Sequence, residues 1–349
     1  MLTADLASLL SRRAHLVTYE ELRLLGYDTA EIARLVRTRD LVRLRQGCYT
    51  SGEHWMSLGT PPHRELLRAR AASTVMDAAH VLSHDSAAHA LSMPFLMPPT
   101  PLVHVSRPHV HGSRTKAGVK HHGAPYEAAQ VVQAQGLAVL GAARTAADLA
   151  REHGFHAGLS ACDSALRQGA TLAELEAAVS AMTSWPGVRS ARRAIALADA
   201  GAENPGESLA RIMALETGAG PVATQVPFRI PTGVAWCDMV VGAHVIEFDG
   251  RIKYRRREEG GVAETDSGEV VWRERQRERE LLRLGLGVSR LVWDDLHPAR
   301  WGRTRQRLSD EIGQTFSRGG HTLPAPLAEQ VAAMTLVRES RLRRSAHAA

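Results

Sequence analysis

Residues 237–250 read CDMVVGAHVIEFDG, and this stretch decides how the C-terminal third of the chain folds. Two apolar runs, Met-Val-Val and His-Val-Ile-Glu-Phe, flank Gly242-Ala243, a two-residue turn with glycine at the first central position. The pattern predicts a β-hairpin. With Gly242 and Ala243 as the loop, Val241 faces His244 and, stepping outward, Asp238 faces Glu247. Cβ atoms of such partners lie about 4.5–5.5 Å apart. Asp249 is two residues past Glu247 and shares its face. Facing carboxylates repel and are costly to bury, so one takes a proton or a cation binds between them. Mg2+ or Mn2+, held by oxygen ligands, resolves the conflict. The alternative is a solvent-facing hairpin whose acids pair with Arg251, Lys253 or Arg255.

Working outward, Glu207 on the preceding helix adds a fourth carboxylate. Lys253 is placed to polarise a phosphate or assist deprotonation of water. The segment WRERQRERELLRLG carries Arg273, Arg275, Arg277, Arg279 and Arg283, which suit either a DNA backbone or an exposed helix of i,i+4 ion pairs. Tyr254 and Trp272 read as core residues or stacking platforms. Strands are expected near 223–230, 234–241, 244–248 and 288–293. Helices are expected over 207–217, over 272–284 and up to about Thr315, with a charged, Gly-rich loop over 255–270.

At the other end, Thr18 with Glu21 and Asp28 with Glu31 form two capping boxes. They open the second and third of three short helices, and LVRLRQGCYTS (41–51) follows as a hairpin. That order predicts a winged helix-turn-helix over residues 1–55, with Arg34, Arg37 and Arg39 on the reading helix and Arg43 and Arg45 on the wing. The competing reading is a three-helix packing module whose arginines are only solvated. GTPPH (59–63) reads as a linker, 60–185 as an alanine-rich middle domain of helical stretches with a strand-like patch near Leu102 to Arg107, and 317–349 as a flexible tail with an appended helix. Eight histidines fall between His80 and His122. His80, His84 and His89 have no strong ligand spacing, and structural or surface histidines are expected.

The 349 residues carry a net charge of +6, and a pI near 9.6 favours polyanionic partners. Cys48, Cys162 and Cys237 are scattered and suit a reducing cytoplasm. No apolar run is long enough for a membrane span. GAGPVA (218–223) follows a helix and contains proline, against a dinucleotide site, and no Walker A, GxSxG or HExxH motif is present.

Glu207, Asp238, Glu247-Phe-Asp-Gly250, the arginine-rich helix and GVSRLVWDDL together resemble a PD-(D/E)XK-type nuclease, and more narrowly the very-short-patch-repair-like domains, over about 204–300. The resemblance implies a mixed sheet flanked by helices, with Asp238, Glu247 and Glu207 as metal ligands. Asp249 stands where the wider motif has lysine, so either Lys253 substitutes or the site uses a different arrangement, and DNA binding without cutting stays open. Residues 1–185 resemble AbiEi-type antitoxins. The winged-helix pattern, LSHDSAAHAL (82–91) and ARTAADLA (143–150) carry that resemblance. It implies a DNA-binding N-terminal domain that represses a promoter, plus a following domain of uncertain role; a toxin protein is a candidate partner that the sequence alone does not establish.

The expected fold is therefore multidomain α+β and α/β: winged helix (1–55), middle domain (60–185), restriction-endonuclease-like domain (204–312) and tail. The expected function is double-stranded-DNA binding with Mg2+- or Mn2+-dependent phosphodiester hydrolysis through Asp238, Glu247, Asp249, Lys253 and Glu207. The alternative is a non-catalytic antitoxin-like repressor.

Overall fold

The computed structural model describes residues 2–108, 112–250 and 267–335. Its class is mixed α+β, and the chain divides into two compact units, Met1–Ala198 and Asp199–Ala349. Among the described residues, no helix is long and apolar enough to cross a membrane.

Unit 1 begins with α1 (Ala4–Arg12), β1 (Val17–Thr18), α2 (Tyr19–Leu24), α3 (Thr29–Arg37), β2 (Leu41–Arg45), β3 (Cys48–Ser51) and α4 (Gly52–Ser57). Both capping boxes form as read: Thr18 Oγ1 accepts from the Glu21 N–H, and Asp28 from the Glu31 N–H, with each glutamate returning to the cap backbone. β1, β3 and β2 make a small sheet over a core of Leu6, Leu10, Leu22, Ile32, Leu35 and Leu41. The expected linker over 59–63 does not hold, because α5 (Pro61–Thr74) starts there with prolines in its first turn. Its Leu67 and Ala71 share a core cluster with Leu16 and Cys48, so the first 55 residues and α5 belong to one body.

The rest of unit 1 was expected as helical stretches with a strand-like patch near 102–107; the patch is a strand, Val103–Ser106, but it belongs to a six-stranded sheet of order β6-β7-β5-β4-β9-β8. The elements are β4 (Val81–Leu82), α6 (His84–Ala90), β5 (Val103–Ser106), β6 (Ser113–Lys116), β7 (Val119–His122), β8 (Val131–Ala134) and β9 (Leu137–Leu140). These strands are two to four residues long, too short to show a period of two in sequence. Four helices follow: α7 (Ala142–His153), α8 (Phe155–Arg167), α9 (Leu172–Ser180) and α10 (Val188–Ala196).

Unit 2 contains α11 (Pro205–Glu216), β10 (Val222–Ile230), β11 (Gly233–Val241), β12 (His244–Asp249), α12 (Ser267–Arg283), β13 (Gly287–Val292) and α13 (Trp301–Gly319). β10, β11 and β12 form an antiparallel meander, and β13 joins β12 in parallel after α12. Val226, Phe228, Cys237 and Val245 pack under Leu281 of α12 and Leu327, which lies in a helical stretch over 325–335. Gly206 presses so close to the Phe248 ring that a Cβ there would lie 2.2 Å from it. Buried His244 ties β12 to its neighbours, with Nδ1 2.7 Å from Thr315 Oγ1 and Nε2 2.7 Å from Ser289 Oγ.

Candidate functional site

The hairpin turn and its register form as the sequence dictates. Gly242 adopts φ 57°, and Val241 pairs with His244, Val240 with Val245, and Met239 with Ile246. The ladder stops there, one step short of Asp238. On its other side Asp238 sits where Gln225 takes a left-handed φ of 50°, between the pairs Thr224↔Met239 and Val226↔Cys237. With the regular pairing interrupted, the Phe248 N–H donates to Asp238 Oδ2 at 2.8 Å. The carboxylate therefore takes over a bond that a strand carbonyl would otherwise accept.

Glu247 shares the α12 side of the sheet with Cys237. Arg277 Nη2 donates to Glu247 Oε1 at 3.0 Å and also to the Trp236 carbonyl. Burial pushes the Glu247 carboxyl up to about 7, the nearby Asp238 charge adds to the shift, and Arg277 opposes both. Asp238 and Glu247 are thus electrostatic neighbours, but the expected direct pairing of the two across the ladder is not made. The expected convergence of a carboxylate trio does not follow. Among the described residues, the acids of the hairpin form no set of three with ligand atoms within 4.8 Å of one another.

Glu207 stands at the third position of α11 and closes a cap. Asn204 Oδ1 accepts from the Gly206 and Glu207 N–H groups, and Glu207 accepts from the Glu203 N–H at 2.6 Å and from Asn204 Nδ2 at 2.5 Å. Asp249 is partly buried at the end of β12. Lys253, like Arg251 and Arg255, lies outside the described residues. The acid-pairing alternative is realised for Glu247, but by Arg277 rather than by those three.

Mg2+ and Mn2+ need several oxygen ligands, and Mg2+ keeps several waters. The cavity beside Glu247, lined also by Glu274, Arg277, Glu278 and Arg290, holds about 10 Å³. That is close to the minimum for a single water. With Glu247 on Arg277, Asp238 on a backbone amide and Glu207 in a cap, the residues as placed do not fit a hydrated divalent ion.

In unit 1, Arg34 and Arg37 on α3, Arg39 just beyond it and Arg43 on β2 are exposed. None of the four has an ion-pair partner among the described residues. Arg45 departs from the expectation for a wing residue. It is half-buried, its Nε and Nη1 have no hydrogen-bond partner, and burial lowers its pKa.

Histidines gather where sequence spacing gave no signal. His80 bonds locally to the Ala78 carbonyl and Ser73, and His89 lies against Phe95. His84 instead joins His104 of β5 and His122 of β7. One ring nitrogen from each lies within 4.8 Å of the others, and all three side chains are buried. β7, β5 and β4 are adjacent strands, so the sheet assembles this set from residues 84, 104 and 122. LSHDSAAHAL and the helix that carries ARTAADLA meet beside it. Asp85 accepts from His153 Nε2 at 2.6 Å, and Arg144 and Arg151 each donate to Asp148 at 2.9 Å.

No protein-family model matches the chain, and no curated protein matches it. Among solved structures, the crystal structure of RV2827C protein from Mycobacterium tuberculosis is similar over 59% of this chain and 78% of that one. The identity is 21% and the TM-score 0.37.

Proposed function

We propose that the chain is a double-stranded-DNA-binding regulator that docks through an N-terminal winged helix and carries a nuclease-like C-terminal unit in a non-cleaving form. The observation that carries the DNA reading is the row of exposed arginines on α3 and β2, Arg34, Arg37, Arg39 and Arg43, with no ion-pair partner among the described residues. A third helix followed by a hairpin is the layout in which a helix enters the major groove and the wing tracks phosphates. The non-cleaving part rests on the Arg277–Glu247 pair, which sets a fixed guanidinium where a metal-dependent nuclease needs its cation. The resemblance to AbiEi-type antitoxins, if it reflects descent, makes promoter DNA the ligand and a toxin protein the second partner.

A second reading, Mg2+- or Mn2+-dependent phosphodiester hydrolysis, is favoured by one observation. Glu247 and Asp238 stand close enough for the Asp238 charge to raise the Glu247 pKa. Such a carboxylate pair recurs in sites that recruit an ion.

Duplex-DNA affinity measured against salt in EDTA, beside plasmid nicking with Mg2+ or Mn2+, separates the two. The proposal expects salt-dependent binding that persists in EDTA and no nicking under either metal. Nicking by the wild type that Asp238→Ala abolishes would establish the second reading instead. Absence of salt-dependent DNA affinity would remove both.

A further inference from the structure

We infer that His84, His104 and His122 form a binding site for one divalent ion of the zinc class, a structural metal inside unit 1 that ties the start of α6 to strands β5 and β7. The site is independent of the hairpin acids and of the DNA reading. His104 Nδ1 and His122 Nε2 face each other at 3.0 Å. Two imidazoles on a tetrahedral ion, with bonds of about 2.0–2.1 Å, hold their ligand nitrogens roughly 3.3 Å apart. The observed pair is thus within a few tenths of an ångström of a ligating pair.

The outward nitrogens carry the stronger argument. A metal-ligating histidine keeps its other ring N–H on an oxygen, which fixes the tautomer. Here His104 Nε2 faces Asp85 Oδ2 at 3.8 Å, His122 Nδ1 faces Ser113 Oγ at 3.4 Å, and His84 Nδ1 lies 3.0 Å from Ser83 Oγ. Each ring therefore has an oxygen behind it and a second nitrogen left for an ion. Asp85 is fixed by His153, and its Oδ2 is buried with no hydrogen-bond partner. A proton on His104 Nε2 gives that oxygen a donor, but it leaves the bare His104 Nδ1 facing His122 across 3.0 Å. Without an ion, His122 Nε2–H donates to His104 Nδ1; with the His122 proton on Nδ1 toward Ser113, a cation satisfies both facing nitrogens at once.

The backbone adds an independent sign. His84 has φ 48°, a left-handed conformation rarely held by a residue with a β-carbon and concentrated at functional sites. This turn, between β4 and α6, delivers its ring against that of His122, with centroids 3.8 Å apart. As placed, His84 already brings one ring nitrogen within 4.8 Å of the ligand nitrogens of the other two rings.

Chemistry selects the ion. Three neutral imidazoles suit Zn2+, Co2+ and Ni2+ and are poor ligands for Mg2+ or Ca2+. Burial depresses the pKa of all three rings, His122 to about 3, which keeps them in the ligating form at neutral pH. Arg144 and Arg151 oppose a nearby cation but are held on Asp148, while Asp85 offsets part of the ion's charge. The three rings fill three of the four tetrahedral positions and a water fills the fourth; with the rings at 2–5% exposure the site is closed to a substrate, and the ion's role is structural.

The test is Co2+ titration of the EDTA-treated full-length chain, read by visible d–d absorption and by metal content, followed by displacement with Zn2+. One ion per chain and a tetrahedral-type spectrum are expected, with a rise in melting temperature on Zn2+ addition. His104→Gln and His122→Gln should each abolish the spectrum. Asp85→Asn, which neutralises the carboxylate that lies behind His104 and also holds His153, should weaken binding about 10–100-fold. Asp238→Asn and Glu247→Gln should leave binding unchanged. A natively folded wild type that takes up no stoichiometric Co2+ or Zn2+ overturns the inference, whatever the variants do. So does an ion whose binding survives the histidine substitutions or is lost with the hairpin acids.

Discussion

Arg277 reaches from α12 across the sheet to place Nη2 3.0 Å from Glu247 Oε1, and the same nitrogen donates to the carbonyl of Trp236. One guanidinium thus joins α12, β11 and β12 at the point where the β11–β12 ladder ends. Arg277→Ala removes the partner of a largely buried carboxylate. We expect a loss of about 1–2 kcal/mol in urea denaturation, below the value for a fully buried pair because Arg277 is about one-third exposed. Glu247→Gln in the same background should recover part of the loss. A loss that Glu247→Gln leaves unchanged would show that Arg277 acts through packing alone.

The pH dependence of unit 2 follows from two groups of opposite sign. Glu247 has a folded pKa raised to about 7 from 4.5, mainly by burial. The native state then holds more protons than the unfolded chain between those values, and stability falls as pH rises through them. His244, also by burial, is lowered to about 4 from 6.5. It contributes stability above pH 6.5 that is lost as pH falls toward 4. The two slopes nearly cancel in the wild type. Glu247→Gln should expose the histidine slope, so that its stability relative to wild type climbs by about 1.4 kcal/mol per pH unit between 4.5 and 7. A variant-minus-wild-type difference that stays flat over that window would contradict the raised Glu247 pKa.

Alanine at Arg34, Arg37, Arg39 or Arg43 should reduce the slope of log affinity for duplex DNA against log salt by about 1 for each phosphate that the side chain no longer neutralises. Thermal stability should hardly change, since all four are exposed. Arg45 should behave differently. Its Nε and Nη1 are shielded and unbonded, so Arg45→Met should hold or raise stability and leave the salt slope alone. Fluorescence anisotropy over a salt series, run beside thermal melts, sorts the five residues.

Gly206→Ala puts a methyl group 2.2 Å from the Phe248 ring. Either the N-terminus of α11 or the ring must move, at about 1–3 kcal/mol by denaturant unfolding. Phe248→Leu in the same chain should relieve part of that cost. An alanine variant as stable as wild type would mean that the helix and the strand separate freely.

What was legible in the sequence is what short-range chemistry encodes. Gly242 fixed the hairpin register to the residue, and the Thr18/Glu21 and Asp28/Glu31 boxes placed α2 and α3. The turn brings Asp238 and Glu247 near each other, but the ladder ends before the pair that the register would have made of them. What each acid bonds to depends on longer reach. Arg277 lies 30 positions from Glu247, and Asp238 leaves the ladder because Gln225, on another strand, turns left-handed. The histidine set was hidden for the same reason. Residues 84, 104 and 122 share no local spacing, and parallel pairing of β5 with β7 brings the last two together. The sheet holding them was missed because none of its strands exceeds four residues.

The parallel partnership of β12 and β13 bears on how the chain emerges from the ribosome. β10, β11 and β12 are consecutive and can zip up by local turns, but β13 begins at Gly287, well after β12 ends at Asp249. Throughout that interval the nascent β12 presents an unsatisfied row of amides and carbonyls, the kind of edge that recruits foreign strands. Closure waits on a pairing that is not local, His244 with Gly287 and onward. A truncation or translational pause just before Gly287 therefore leaves unit 2 in its most aggregation-prone form.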